Sequence, residues 1–165
     1  YLHPRNPLPS MAQIYEGHPW LLGPTWAFGQ ETAVHSLRLM ASGLFDKHPN
    51  LQIVLGHMGE GLPYSIWRVD NRNKWVGDER AYPAEKMLGH YFQNNFYITT
   101  SGNFRTQTLI DAMLEIGSDR ILFSADWPFE NVDHAANWFD SCTISEDDRL
   151  KIGRTNSMRL FDIDL

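Results

Sequence analysis

The sequence predicts an α/β fold built on a parallel sheet, and three observations carry that prediction. Short apolar runs at Ile53–Gly56, Phe96–Thr100 and Ile121–Ala125 have the length of buried strands, and Tyr1-Leu2 reads as the end of another whose beginning is missing. Stretches of helical periodicity separate them. Each run ends on a residue with side-chain chemistry or on a glycine turn: His3, His57, Ser101-Gly102 and Asp126. Strand–helix alternation builds parallel sheets, and in a parallel barrel the C-terminal strand ends form the active face. Two histidines and an aspartate delivered to one rim point to a metal site. The 165 residues suffice for one domain with a real core, and we read 1–165 as that domain. A complete eight-stranded barrel takes about 250 residues, and four runs are half its strands. With Tyr1-Leu2-His3 already inside a motif and no initiator Met, the chain reads as one piece of a longer one.

Residues 3–29 are punctuated by Pro4, Pro7, Pro9, Gly17, Pro19, Gly23 and Pro24, too often for a long helix. They read as a long excursion, and loops of this length are usually functional or contact a partner. Residues 30–47 predict a helix, with Ala33, Val34, Leu37, Met40, Ala41, Leu44 and Phe45 at helical spacing and Pro49 stopping it. After His57, two glycines allow a tight turn, and Pro63 suits the first turn of a helix over 63–75, with Ile66, Trp67 and Val69 facing inward. Residues 77–95 read as loop and a short helix. Residues 105–116 predict a helix on Leu109, Ile110, Met113 and Ile116, ended by Gly117. Residues 132–140 read as helical, and Ser145 with Asp148 forms a capping arrangement before Arg149.

Composition narrows the function classes. A net charge of −6 lacks the basic stripe of a nucleic-acid binder, and no apolar run approaches a membrane span. The lone Cys142 precludes an internal disulfide framework and fits a reducing compartment, the cytoplasm. Six Trp, several in loop-like segments, suit an aromatic-lined pocket or a large subunit interface. No phosphate loop, Cys pair or Gly-x-Ser-x-Gly elbow occurs.

The candidate residues each have a plainer role. His3 offers an imidazole nitrogen to a divalent metal, or is a hydrogen-bonded structural His. Glu60, three residues after His57 across a glycine turn, can fix the tautomer that His57 presents to a substrate, or merely tie down the loop. Asp126 can ligate a metal and exchange protons, or cap the next helix. Arg68 could anchor a substrate carboxylate or pair with Asp70 or a neighbouring subunit. Phe129 could wall an aromatic pocket or be core. His35 reads as a helix-surface residue, and His18, His48, His90 and His134 as loop residues.

Several segments carry a resemblance: Leu2-His3-Pro4-Arg5-Asn6-Pro7, Leu55-Gly56-His57-Met58-Gly59-Glu60-Gly61-Leu62-Pro63 and Phe123-Ser124-Ala125-Asp126-Trp127-Pro128-Phe129-Glu130. Residues 99–108 and 152–161 extend it over nearly the whole chain. The chain resembles the metal-dependent decarboxylases of the amidohydrolase superfamily, the group acting on gamma-resorcylate, 2,3-dihydroxybenzoate and salicylate. The resemblance implies the C-terminal half, strands 5–8, of a (β/α)8 barrel. It implies one divalent metal, Zn2+ or Mn2+, with His3 and Asp126 as ligands, His57 and Glu60 in acid–base work, Asp126 as proton carrier, Phe129 lining the ring pocket and Arg68 supporting the site. The activity implied is non-oxidative, reversible decarboxylation of an ortho-hydroxybenzoate such as 2,6-dihydroxybenzoate, with the metal acting as a Lewis acid on the substrate oxygens.

The partners implied are a small aromatic acid and the N-terminal half of the barrel, and the aromatic-rich excursion 9–28 points further to copies of the chain in a dimer or tetramer. The family takes two more ligands from a Glu-x-His pair on its first strand, which this sequence lacks. One His and one Asp make a poor metal site, so these residues alone are expected to be inactive. The alternatives are a metal-dependent hydrolase on the same scaffold and a barrel piece acting only through its interface.

Overall fold

The computed structural model describes residues 1–77 and 80–164. Three parallel strands, β1 (Ile53–Leu55), β2 (Phe96–Thr99) and β3 (Ile121–Leu122), form a sheet in the order β1-β2-β3. Val54 lies opposite Tyr97, and Thr99 opposite Leu122. Helices α3 (Leu62–Asn73) and α4 (Leu88–Asn95) connect β1 to β2, and α5 (Thr106–Ile116) connects β2 to β3. The expected strand at Tyr1-Leu2 is reduced to one parallel bridge, Leu2 to Leu55, closed by Leu2 N–H donating to the Val54 carbonyl at 2.9 Å. The run 121–125 is strand only at its first two residues, because the chain beyond Leu122 bonds elsewhere: Phe123 N–H donates to the Ile152 carbonyl at 2.8 Å.

Alternation along the strands splits the apolar residues between two faces. Leu55, Phe96, Ile98 and Ile121 pack with Ile66, Leu88, Phe92, Leu109 and Ala112 of the helices in the main core. Burying each of the larger side chains contributes about 1.5–3 kcal/mol, and the Ala112 methyl less. Val54, Tyr97 and Leu122 form a smaller cluster on the other face.

The expected helix 30–47 is two helices, α1 (Ala27–Ala41) and α2 (Leu44–Lys47), broken at Gly43, whose φ of 76° leaves the helical region. The buried face of α1 is Ala27, Thr32, Ser36 and Met40, while Val34 is exposed. Two hydroxyls can be buried there because each has an acceptor one turn back: Thr32 donates to the Phe28 carbonyl and Ser36 to the Thr32 carbonyl. Before α1, the excursion holds short 3-10 turns at Pro9–Tyr15, Pro19–Leu21 and Gly23–Thr25. On α3, Leu62, Pro63 and Ile66 turn inward, and Trp67, expected inside, faces out one residue past Ile66.

α6 (Val132–Ser141) starts at Asn131, whose side chain accepts from His134 N–H, so Asp126 is not its cap. α7 (Glu146–Leu150) is capped by Ser145 as expected, with Asp148 N–H donating to the hydroxyl at 3.1 Å. A π-helical segment, Lys151–Thr155, leads into α8 (Asn156–Phe161). His90 and His134 sit on α4 and α6, not in loops.

A carboxylate on α3 organises the start of α4. Asp70 accepts from the N–H groups of Leu88 and Gly89, each at 2.8 Å, which leaves no Asp70–Arg68 pair among the described residues. A Cβ on Gly89 would lie 2.8 Å from Asp70 Oδ2. Although alanine is the better helix former, Gly89→Ala is expected to destabilise the fold by about 1–2 kcal/mol, the size of a lost cap. Denaturant unfolding of the two proteins checks this.

Candidate active site

The chain leaves β1 through an unusual turn. Five consecutive residues, His57 to Gly61, have φ of 49°, 57°, 76°, 55° and 76°. The turn is closed by Gly59 N–H donating to the Gly56 carbonyl at 2.8 Å and Glu60 N–H to the His57 carbonyl at 3.3 Å. Glycine adopts this region freely, but His57, Met58 and Glu60 each cost about 1 kcal/mol or more there. Burial of Met58 in the main core holds the turn in place. The consequence is that His57 and Glu60 project together at the end of the strand.

Glu60 Oε1 lies 2.6 Å from His57 Nδ1, so Nδ1–H donates to the carboxylate and Nε2 is turned to the other side. There Nε2 meets Asp126 Oδ2 at 3.6 Å. Side-chain exposure falls from 26% at His57 and 22% at Asp126 to 4% at Glu60, so the carboxylate orienting the imidazole is the dry end of the row. The bond to Glu60, then the charges of Glu60 and Asp126, outweigh burial and hold the His57 pKa above its ordinary value.

Asp126 owes its place to the end of β2. Thr100 Oγ donates to the Ser124 carbonyl at 2.8 Å and accepts from Ser124 N–H at 2.9 Å, stitching the chain after β3 to the end of β2. Asp126 is itself left-handed, with φ 68°, and its carbonyl accepts from the N–H groups of Phe129 and Glu130. Gly102, φ 61°, lies against the pair: a Cβ there would sit 3.2 Å from His57 Cδ2 and 3.4 Å from Asp126 Oδ2. The sequence marks Gly102 only as a strand end. Its role follows from a side chain it lacks.

The other expected site residues stand apart from this row. Phe129 is on the loop after Asp126 and is 79% exposed. Arg68 is exposed on α3, whose Tyr64 and Ser65, not Arg68, border a cavity of about 580 Å³ that reaches His57 and Glu60. His3 is exposed, and its Nδ1 faces the Pro4 carbonyl at 3.0 Å, which fixes the tautomer and leaves Nε2 as the open lone pair, the arrangement of many metal-ligating histidines. Donor number is what falls short. Among the described residues, no group of three or more His, Cys, Asp or Glu side chains is placed to hold a metal ion. A divalent site needs more ligands than His3 and Asp126 provide, so these residues alone do not fit one.

The amidohydrolase family model (Amidohydro_2) matches residues 5–163. The chain belongs to the amidohydrolase family. This amidohydrolase chain is 72% identical over 164 residues to gamma-resorcylate decarboxylase of Rhizobium radiobacter, covering 99% of this chain and 50% of that protein. It superposes with a TM-score of 0.94 on dihydroxybenzoic acid decarboxylase from Polaromonas sp. JS666, solved with bound manganese and the inhibitor 2-nitroresorcinol. The identity there is 72%, over 98% of this chain and 49% of that one. On 2,6-dihydroxybenzoate decarboxylase complexed with 2,6-dihydroxybenzoate, the TM-score is 0.95 and the identity 71%, over 99% and 50% of the two chains. The chain thus spans about half the length of the curated relatives it matches. Among the described residues no helix is long and apolar enough to cross a membrane.

Proposed function

We propose that the intact protein catalyses the non-oxidative, reversible decarboxylation of 2,6-dihydroxybenzoate or a close ortho-hydroxybenzoate. In this proposal residues 1–165 are one domain, strands 5–8 of a (β/α)8 barrel, with the Leu2 bridge standing for the first of them. The observation that carries the reading is the row Glu60–His57–Asp126 at the ends of parallel strands, in a chain 72% identical to a gamma-resorcylate decarboxylase.

The chemistry asks little of the protein beyond a proton and its placement. Asp126 delivers a proton to the ring carbon that bears the carboxylate, forming a C–H bond at the cost of aromaticity. The carbon–carbon bond then breaks, its electron pair returns to the ring, and carbon dioxide leaves. That proton leaves in the product's C–H bond, so His57, with Nε2 facing Asp126 and Nδ1–H held by Glu60, passes a new proton from solvent to Asp126 and stabilises its charge between turnovers. No electrons enter or leave, so no redox cofactor takes part. Phe129, on the loop that Asp126 begins, would wall the ring pocket, and Arg68 would support the site from α3.

The cofactor of the proposal is one divalent metal, Mn2+ or Zn2+, to which His3 and Asp126 contribute, while the other half of the barrel supplies further ligands. The protein would work as a homo-oligomer in the cytoplasm. Exposed Trp20 and Trp26 in the excursion support burial against a further subunit or the other half-barrel, and the buried free thiol of Cys142 suits a reducing compartment.

Carbon dioxide release from a panel of hydroxybenzoates tests the proposal. Release from 2,6-dihydroxybenzoate without nicotinamide or flavin is expected, and none from the metal-loaded intact protein would overturn it. In the same protein, His3→Ala is expected to lower metal content severalfold, while His57→Asn leaves it near the unmodified level. Metal analysis of the two purified variants checks the division of roles between the histidines.

A further inference from the structure

Gly29 is the third residue of the 15-residue helix α1. Glycine inside a helix is less favourable than alanine by about 0.5–1 kcal/mol, so the position calls for a reason. Backbone conformation is not the reason, since Gly29 is helical and absent from the residues with positive φ. Space is. A Cβ at Gly29 would stand 3.1 Å from Glu60 Oε2, closer than ordinary contact. The other oxygen of that carboxylate is committed to His57 at 2.6 Å. A carboxylate is rigid and planar, so pushing one oxygen moves the other. The first turn of a helix also carries unpaired N–H groups and the positive end of the dipole, a favourable neighbourhood for a carboxylate. Gly29 and Glu60 both border the cavity between α1 and α3. A displaced Glu60 therefore has room to swing, and an added methyl group would misalign the carboxylate without unfolding the chain.

We propose that Gly29 is a positioning residue: its missing side chain lets Glu60 seat against the first turn of α1 and hold His57 toward Asp126. The inference rests on reading His57 and Glu60 as working residues. It also links α1, and the aromatic excursion before it, to the orientation of the catalytic imidazole.

The test is Gly29→Ala in the intact protein, alone and combined with Glu60→Ala. With the single variant, kcat for 2,6-dihydroxybenzoate should fall about tenfold to a hundredfold, the scale of a small misplacement, with KM little changed. In thermal unfolding, Gly29→Ala should lower Tm when Glu60 is present and leave or raise it when Glu60 is alanine, because the clash is gone and the helix gains. Equal Tm changes in both backgrounds, or a wild-type kcat in Gly29→Ala, would overturn the proposal. If the single variant fails to fold while the double variant folds, the contact with Glu60 is the cause and the proposal stands; if neither folds, it falls. The unfolding cycle uses no substrate, so an inactive parent enzyme would refute the decarboxylase reading and leave Gly29 to be decided by Tm.

Discussion

Asp126→Asn should abolish turnover more completely than any other single change, by about 10²–10⁴-fold, the range set by loss of a positioned acid or base. An amide oxygen fills the same space and can still coordinate weakly, but it cannot carry the proton. The backbone should tolerate the change: Asp126 sits at φ 68°, a region that asparagine enters as readily as aspartate. The carbonyl that receives the N–H groups of Phe129 and Glu130 is untouched. Tm should therefore stay near wild type, and metal content should fall far less than kcat. Single-turnover kinetics beside metal analysis read both. A variant that lost metal and activity in equal measure would make Asp126 a ligand and nothing more.

Glu60→Gln has the second largest expected effect, and its signature is in pH. The hydrogen bond that His57 donates to Glu60 is the largest cause of its raised pKa, followed in the same direction by the charge of Glu60. With glutamine the acceptor remains and the charge goes, so the His57 pKa should drop toward the ordinary 6.5. The limb of the pH–rate profile that reports His57 should move to lower pH, and kcat at its new optimum should fall about 100-fold. Stability follows the same sign. His57 has a folded pKa above its unfolded value. Its contribution is therefore full below about 6.5 and is lost as pH rises through the folded pKa. Wild type should exceed Glu60→Gln in stability most near pH 6, with the gap closing as the solution becomes alkaline. Unfolding curves at stepped pH test this, and a gap that widened with pH would reverse the assignment of the charged pair.

Much of this site is legible in the sequence itself. His57 and Asp126 follow short apolar runs, and Glu60 follows His57 across glycines, so strand ends and spacing single out all three. What spacing cannot express is a left-handed turn running through Met58, which turns the two side chains the same way. Gly29 is invisible in the sequence and Gly102 marks only a strand end there, because each meets a neighbour distant in sequence through the side chain it lacks.

In the fold, the helix period along α5 holds at Leu109 and Ile116, while the expected Ile110 is exposed and Ala112 is buried instead, and the period misleads along α1, where hydroxyls are buried. Thr32 and Ser36 satisfy their own polar groups and take core positions that the apolar count gave to Val34. Gly43 carried the break between α1 and α2 in plain sight, overridden by a hydrophobic pattern that continues across it. Strand lengths came out long because the chain bends toward the site just after Leu55 and Leu122, a tertiary event that local propensity does not record.

The central claim is that this cluster moves a proton to and from the ring carbon that carries the carboxylate. Exchange of the hydrogen on resorcinol between its two hydroxyls, followed by NMR in heavy water, observes that step alone, with no carbon dioxide required. The account predicts rapid exchange at that carbon with the intact metal-loaded protein, none above background with Asp126→Asn, and strongly slowed exchange with Glu60→Gln. Wild-type exchange in Asp126→Asn, or no exchange in the wild-type protein, would contradict it.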